Sequence, residues 1–222
     1  MRGVLFASAL AVFSSTTAFG ANLLTDGSFE TPTVPAGGFT NFSSGATFGG
    51  WTVVGPQSSI VSGSFAQNGI SFVAEDGAQW VDLTGDGSNA LEGVQQSVAT
   101  VAGHTYQLSF WVGNVDNPGG IFGTTSTVDV KINGTSDGAF TNSCTSCTTK
   151  LGWEEFTTSF VASGSSTLVT FLNGDGSSDN SNGLDNVVLT GKGGTSAPEP
   201  ATLGLLVLGL AGTLCRRRRP AR

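Results

Sequence analysis

The sequence predicts an all-β protein, an antiparallel β-sandwich, over residues 22–190. Three observations carry this. Apolar residues alternate with polar ones in several stretches, glycine-bearing turns separate them, and no stretch of the region repeats its apolar residues at 3.6. Half-buried strands show the first pattern because successive side chains point to opposite faces of a sheet. Many short strands punctuated by turns pack as two sheets.

From the N-terminus, residues 1–21 read as a signal peptide forming a helix. Arg2 supplies the positive start, Val4 to Phe13 the short apolar run, and Ala18 and Gly20 the small residues before a cut. The strands follow. Val94, Gln96 and Val98 alternate with Gln95, Ser97 and Ala99. Tyr106, Leu108, Phe110 and Val112 alternate with Gln107, Ser109, Trp111 and Gly113. Val128, Val130 and Ile132 flank Asp129 and Lys131, and Phe156, Thr158 and Phe160 alternate with Glu155, Thr157 and Ser159. Leu168 to Leu172 is nearly all apolar and suits a central strand. Turns are expected at Asp76-Gly77, Gly85-Asp86-Gly87, Ala102-Gly103, Asn133-Gly134 and Gly174-Asp175-Gly176.

Residues 191–197 read as a flexible glycine-rich linker and 198–222 as a second address. There Pro198-Glu199-Pro200 precedes an apolar run, Ala201–Leu214, and then Arg216, Arg217, Arg218 and Arg219. Fourteen helical residues span roughly 21 Å, short of a roughly 30 Å hydrocarbon core, so this transmembrane helix is a transient anchor. The arginines hold its cytoplasmic side.

Charge excludes one class of partner. All six arginines lie in the end segments, and residues 22–197 carry 15 acidic groups against three lysines. Nucleic acid needs the opposite balance. Calcium and neutral glycans remain compatible.

Cys144 and Cys147 form a Cys-x-x-Cys. A redox motif would need a βαβ setting, and a zinc site would need a second ligand pair where only His104 is left. A local disulfide in an oxidising compartment fits best. Catalysis finds little support. His104 alone makes no triad. Glu154 and Glu155 point to opposite faces of a strand, and Asp82 and Asp86 read as solvated acids, so the expectation is a protein that is not an enzyme. The acidic loop from Asp175 to Asn180 lacks the glycine and glutamate of an EF-hand and reads as a solvated hairpin.

Two resemblances add to this. The tail, with its Pro-Glu-Pro, apolar helix and arginine cluster in order, resembles the PEP-CTERM sorting signal. That implies export by the general secretory machinery and processing by an exosortase. It also implies an inner-membrane intermediate and delivery to the outer surface or matrix of a Gram-negative-type bacterium. The domain opens with Asn22-Leu23-Leu24-Thr25-Asp26-Gly27-Ser28-Phe29-Glu30. Gly50-Trp51, Val81-Asp82-Leu83, Val94 to Val98, Ala102 to Phe110 and Gly183 to Val187 follow in order. This order is similar to the choice-of-anchor C proteins and to the plant cell-wall family numbered 642 among domains of unknown function. The resemblance implies a galactose-binding-like jelly roll and a bias toward carbohydrate. It also implies a structural calcium between Glu30 and Asp185, the other reading being surface or turn residues.

Sugar binders present flat rings, but large aromatics also fill cores. Trp51 and Trp153 are assigned to packing. Trp111, on the face opposite Phe110, and Trp80, beside Asp82, are the candidate carbohydrate platforms, with Asn114 and Asp116 as polar contacts. The expected function is non-catalytic binding of extracellular matrix carbohydrate or exopolysaccharide. The rivals are a structural biofilm protein without a ligand and, behind it, a glycan-active enzyme.

Overall fold

The computed structural model describes residues 20–85, 91–176 and 181–192. The signal helix and the transmembrane sorting helix expected at the two ends lie outside the described residues. Within them every regular element is a strand.

Two six-stranded antiparallel sheets form a sandwich. In chain order the strands of the first are β1 (Phe39–Ser43), β4 (Gln57–Ser62), β7 (Gln79–Asp82), β9 (Thr105–Asn114), β12 (Gly152–Val161) and β14 (Gly183–Gly191). They lie side by side as β1-β4-β7-β14-β9-β12. The second sheet contains β2 (Thr47–Phe48), β3 (Trp51–Val54), β8 (Gly93–Ala99), β10 (Ser126–Ile132), β11 (Thr135–Asn142) and β13 (Ser166–Asn173). Its order is β11-β10-β13-β8-β3-β2. A small hairpin, β5 (Phe65–Gln67) with β6 (Ile70–Phe72), lies apart from both.

The main core sits between the sheets. Leu108, Phe110 and Val112 of β9, Val128 and Val130 of β10, and Val169 and Phe171 of β13 are all fully buried there. Their alternate neighbours face outward, as the period of two demands. Trp51 is fully buried, packs on Phe29 and Phe171, and donates its indole N–H to the Asp26 carbonyl at 2.9 Å. The continuous apolar run Leu168–Leu172 lies in β13, two strands in from its sheet edge.

Asn22–Leu24 is not a ladder strand, yet it lies along β14. Leu23 N–H donates to Leu189 O at 2.9 Å, and the Asn22 side chain takes Leu189 N–H while donating to Val187 O. An asparagine side chain replaces backbone pairing, which frees the chain to turn away at Asp26.

Candidate functional site

A second apolar cluster lies on the outer face of the first sheet. It contains Val61, Ile70, Phe72, Trp80, Val115, Phe122 and Leu151, with Phe65, Ala74 and Trp153 against it. Strand alternation builds its floor. Ile60 and Val81 turn to the main core, so Ser59, Val61, Trp80 and Asp82 turn outward. The register pairs Ser59 with Asp82 and Val61 with Trp80 across β4 and β7.

The β5–β6 hairpin folds over this floor. Its turn is Asn68-Gly69, both left-handed with φ of 53° and 79°. That is the backbone of the tight turn matching strand twist. It sets Phe65 opposite Phe72. Phe72 stacks on Trp80 with centroids 6.3 Å apart and meets Phe122 edge-on at 5.0 Å. Backbone bonds from Ser71 N–H to Thr149 O and from Leu151 N–H to Ser71 O tie the hairpin to the cysteine loop. In that loop Cys144 and Cys147 are joined as a disulfide, Cα atoms 5.6 Å apart.

Between hairpin, floor and the segment bearing Phe122 lies a cavity of about 150 Å3. Phe39, Phe65, Phe72, Trp80 and Phe122 give it aromatic walls, and Ser59, Asp82 and Ser181 give it polar groups. Phe39 and Ile121, large residues left 43% and 45% exposed, also line it. Asp82 is 8% exposed. Its Oδ1 accepts Thr84 N–H at 2.9 Å, Thr84 Oγ1 at 2.7 Å and Asn182 N–H at 3.3 Å. Burial, against these three bonds, pushes its carboxyl up to about 7, and the Glu92 charge adds to the rise.

The sequence candidates divide. Trp111 does face outward and is half-buried, opposite Asp185 on β14. It lines a separate, more open groove of about 450 Å3 with Val73, Glu75, Ser146, Lys150 and Trp153. Trp80 is not an open platform: it is 1% exposed, its N–H reaches Phe72 O at 3.3 Å, and it meets the cavity only as part of its wall. Asn114 is fully buried and cannot reach a surface ligand. It donates to Thr124 O and Cys144 O and accepts from Ser126 Oγ, which braces three segments. Asp116 is half-buried beside the cysteine loop, with its N–H on Cys147 O. Sequence reasoning missed Phe39, Phe65, Phe72 and Phe122. The Asn68-Gly69 pair between two phenylalanines was the available signal.

Glu30 and Asp185, the expected calcium pair, both engage backbone N–H groups. Glu30 Oε1 accepts Ala78 N–H at 2.7 Å and Gln79 N–H at 2.9 Å. Asp185 Oδ2 accepts Glu75 N–H and Asp76 N–H, and its Oδ1 accepts Asn186 N–H. Among the described residues no three His, Cys, Asp or Glu side chains are grouped to hold a metal. The segment between Val73 and Gln79 is tied to both carboxylates.

Comparison with known proteins agrees with the fold. The family described as "Protein of unknown function (DUF642)" matches residues 22–190, and the PEP-CTERM protein-sorting motif matches residues 196–219. Among solved structures a cyclase from Fischerella sp. TAU is similar, at 15% identity. The match covers 79% of this chain and 98% of the cyclase, with a TM-score of 0.54. A family 35 carbohydrate binding module from Clostridium thermocellum is 13% identical, with 68% of this chain and 97% of the module covered at a TM-score of 0.42. No curated protein sequence matches the chain. At 15% identity the likeness to the cyclase speaks of the fold alone.

Proposed function

The chain belongs to the DUF642 family and carries a PEP-CTERM sorting motif, which makes it an exported, surface-sorted protein; from that premise we propose that its sandwich binds neutral carbohydrate without catalysis, in the aromatic cavity over β4 and β7. The supporting observation is the arrangement around Asp82. One oxygen of this carboxyl is held by three donors, while the residue lines a cavity walled by five aromatic rings. A sugar has the complementary chemistry: hydroxyls at its edge for Asp82, Ser59 and Ser181, and apolar CH faces for the rings. The excess of acidic groups in residues 22–197 disfavours anionic polymers as ligands. Processing by an exosortase and a place in the extracellular matrix accompany this reading, with the matrix polysaccharide as partner.

The test is binding of neutral oligosaccharides to the purified protein, followed by calorimetry on Phe39→Ala and Asp82→Asn. Phe39 is at the rim and exposed, so its loss leaves the fold intact. Affinity is expected to fall about tenfold or more in both variants, about 1.4 kcal/mol. Binding that survives both changes, or no binding to any neutral glycan, overturns the proposal. Loss only in Trp111→Ala would move the ligand to the neighbouring groove.

A further inference from the structure

Thr127 stands near the start of β10, where its N–H and C=O point to the same side of the strand, as in any extended residue. Two side chains, from the two ends of the connection between β13 and β14, dock on that one peptide edge. Asp175 Oδ1 accepts Thr127 N–H at 2.6 Å, and Asn182 Nδ2 donates to Thr127 O. The same Asn182 amide nitrogen also donates to Asn173 Oδ1 at 2.7 Å. Each side chain therefore spends one end and has the other left over.

Both leftover atoms are oxygens. Asp175 Oδ2 and Asn182 Oδ1 are enclosed and have no hydrogen-bond partner, and Asn182 as a whole is 0% exposed. Enclosing an acceptor with no donor costs free energy, more so for a carboxylate. A third acid adds to the imbalance: Asp82 accepts Asn182 N–H, and its charge, with that of Asp129, acts on Asp175. The loop that reads from sequence as solvated thus turns its first carboxylate inward, against the fold.

We propose that Asp175 Oδ2 and Asn182 Oδ1 are two ligands of a hard divalent cation site, of calcium type, behind the floor of the aromatic cavity. The donor chemistry selects the ion. A carboxylate, a side-chain amide oxygen and water are calcium ligands, whereas zinc sites favour nitrogen and sulfur. Asp82 supplies further negative charge beside the site. The ion ties the end of β13 and the start of β14 to β10, the junction from which Asp82 and Ser181 line the cavity. The proposal stands on these oxygens and does not depend on carbohydrate binding.

The experiment uses the purified full chain in mild detergent, stripped with a chelator and titrated with calcium chloride by calorimetry and by thermal melting. One ion per chain is expected, with affinity in the roughly 10⁻⁴–10⁻³ M range of extracellular modules and a melting point that rises with calcium. Asp175→Asn should weaken binding about tenfold or more, and Glu30→Gln should leave it unchanged. Should Asp175→Asn not fold, Asn182→Asp reads the same site with opposite sign. It adds a charged ligand oxygen, so it tightens calcium binding several-fold and melts earlier in chelator. The absence of heat and of a melting shift at about 10 mM calcium, well above that range, overturns the proposal. So does calcium binding indifferent to Asp175 and Asn182, or one lost in Glu30→Gln alone.

Discussion

Glu30 and Asp185 hold opposite ends of one short segment. Asp185 Oδ2 takes the N–H groups of Glu75 and Asp76, and Glu30 Oε1 takes those of Ala78 and Gln79. Between the two grips lies Gly77, at φ +70°, where a Cβ would strike the Glu30 carboxylate. The segment leads directly into β7, so the two acids set the position of the strand that carries Trp80 and Asp82.

Glu30→Ala is expected to lower stability by about 1–3 kcal/mol, because two backbone donors lose their acceptor. In a domain of this size that is a fall of several degrees in melting temperature. Thermal melting checks it, and an unchanged melting point would show that water replaces the carboxylate at no cost.

Asp185 should make stability depend on pH. Burial is the main cause that pushes its carboxyl from the usual 3.8 up to about 8, against three backbone N–H bonds that pull it down. The folded chain then keeps a proton that the unfolded chain releases. Between about pH 4 and pH 8 the unfolded state binds fewer protons, so stability falls as pH rises through that window. Denaturant melts across this range should show the decline, and Asp185→Asn should make it shallower, the buried Asp82 carboxyl, pushed up to about 7, keeping its own share. A rise in stability over the window would contradict the burial argument.

Two tryptophans should respond differently to removal. Trp51→Ala deletes a fully buried indole and its bond to Asp26 O, at a cost of about 3–5 kcal/mol. Trp111 is half-buried on the outer face, so Trp111→Ala should cost about 1 kcal/mol and leave glycan binding in the aromatic cavity unchanged. Urea unfolding of both variants measures the contrast. Equal losses would place Trp111 in the structural core.

Ile121 gives a second rim probe of the carbohydrate reading. It is 45% exposed and lines the cavity with an aliphatic side chain, so Ile121→Ala should weaken a bound neutral sugar by about threefold to tenfold at constant stability. Titration of the sugar that binds best checks it.

Much of the sandwich was legible. The alternations over Val94–Val98, Tyr106–Val112, Val128–Ile132 and Phe156–Phe160 lie in β8, β9, β10 and β12. β4 was harder, because Ser58 to Ser62 are buried on both faces and show no alternation. β11 was obscured by Gly138, at φ 153°, beside a break in register at Val130/Lys131. At the site, the outward direction of Trp111 followed from alternation. The burial of Trp80 and Asn114 did not, because it depends on a hairpin and a cysteine loop that arrive from distant sequence.

By itself the sequence determined the β class, the sorting tail and the side to which the alternating residues of β8, β9, β10 and β12 point, because all three follow from local period, composition and order along the chain. Only the tertiary structure decided which outward residues stay outward. Covering Trp80, turning Asp175 inward and occupying Glu30 and Asp185 with backbone N–H groups are contacts between segments far apart in the chain. Such contacts form where buried area and satisfied hydrogen bonds offset the entropy of closing long loops, a balance no local pattern records.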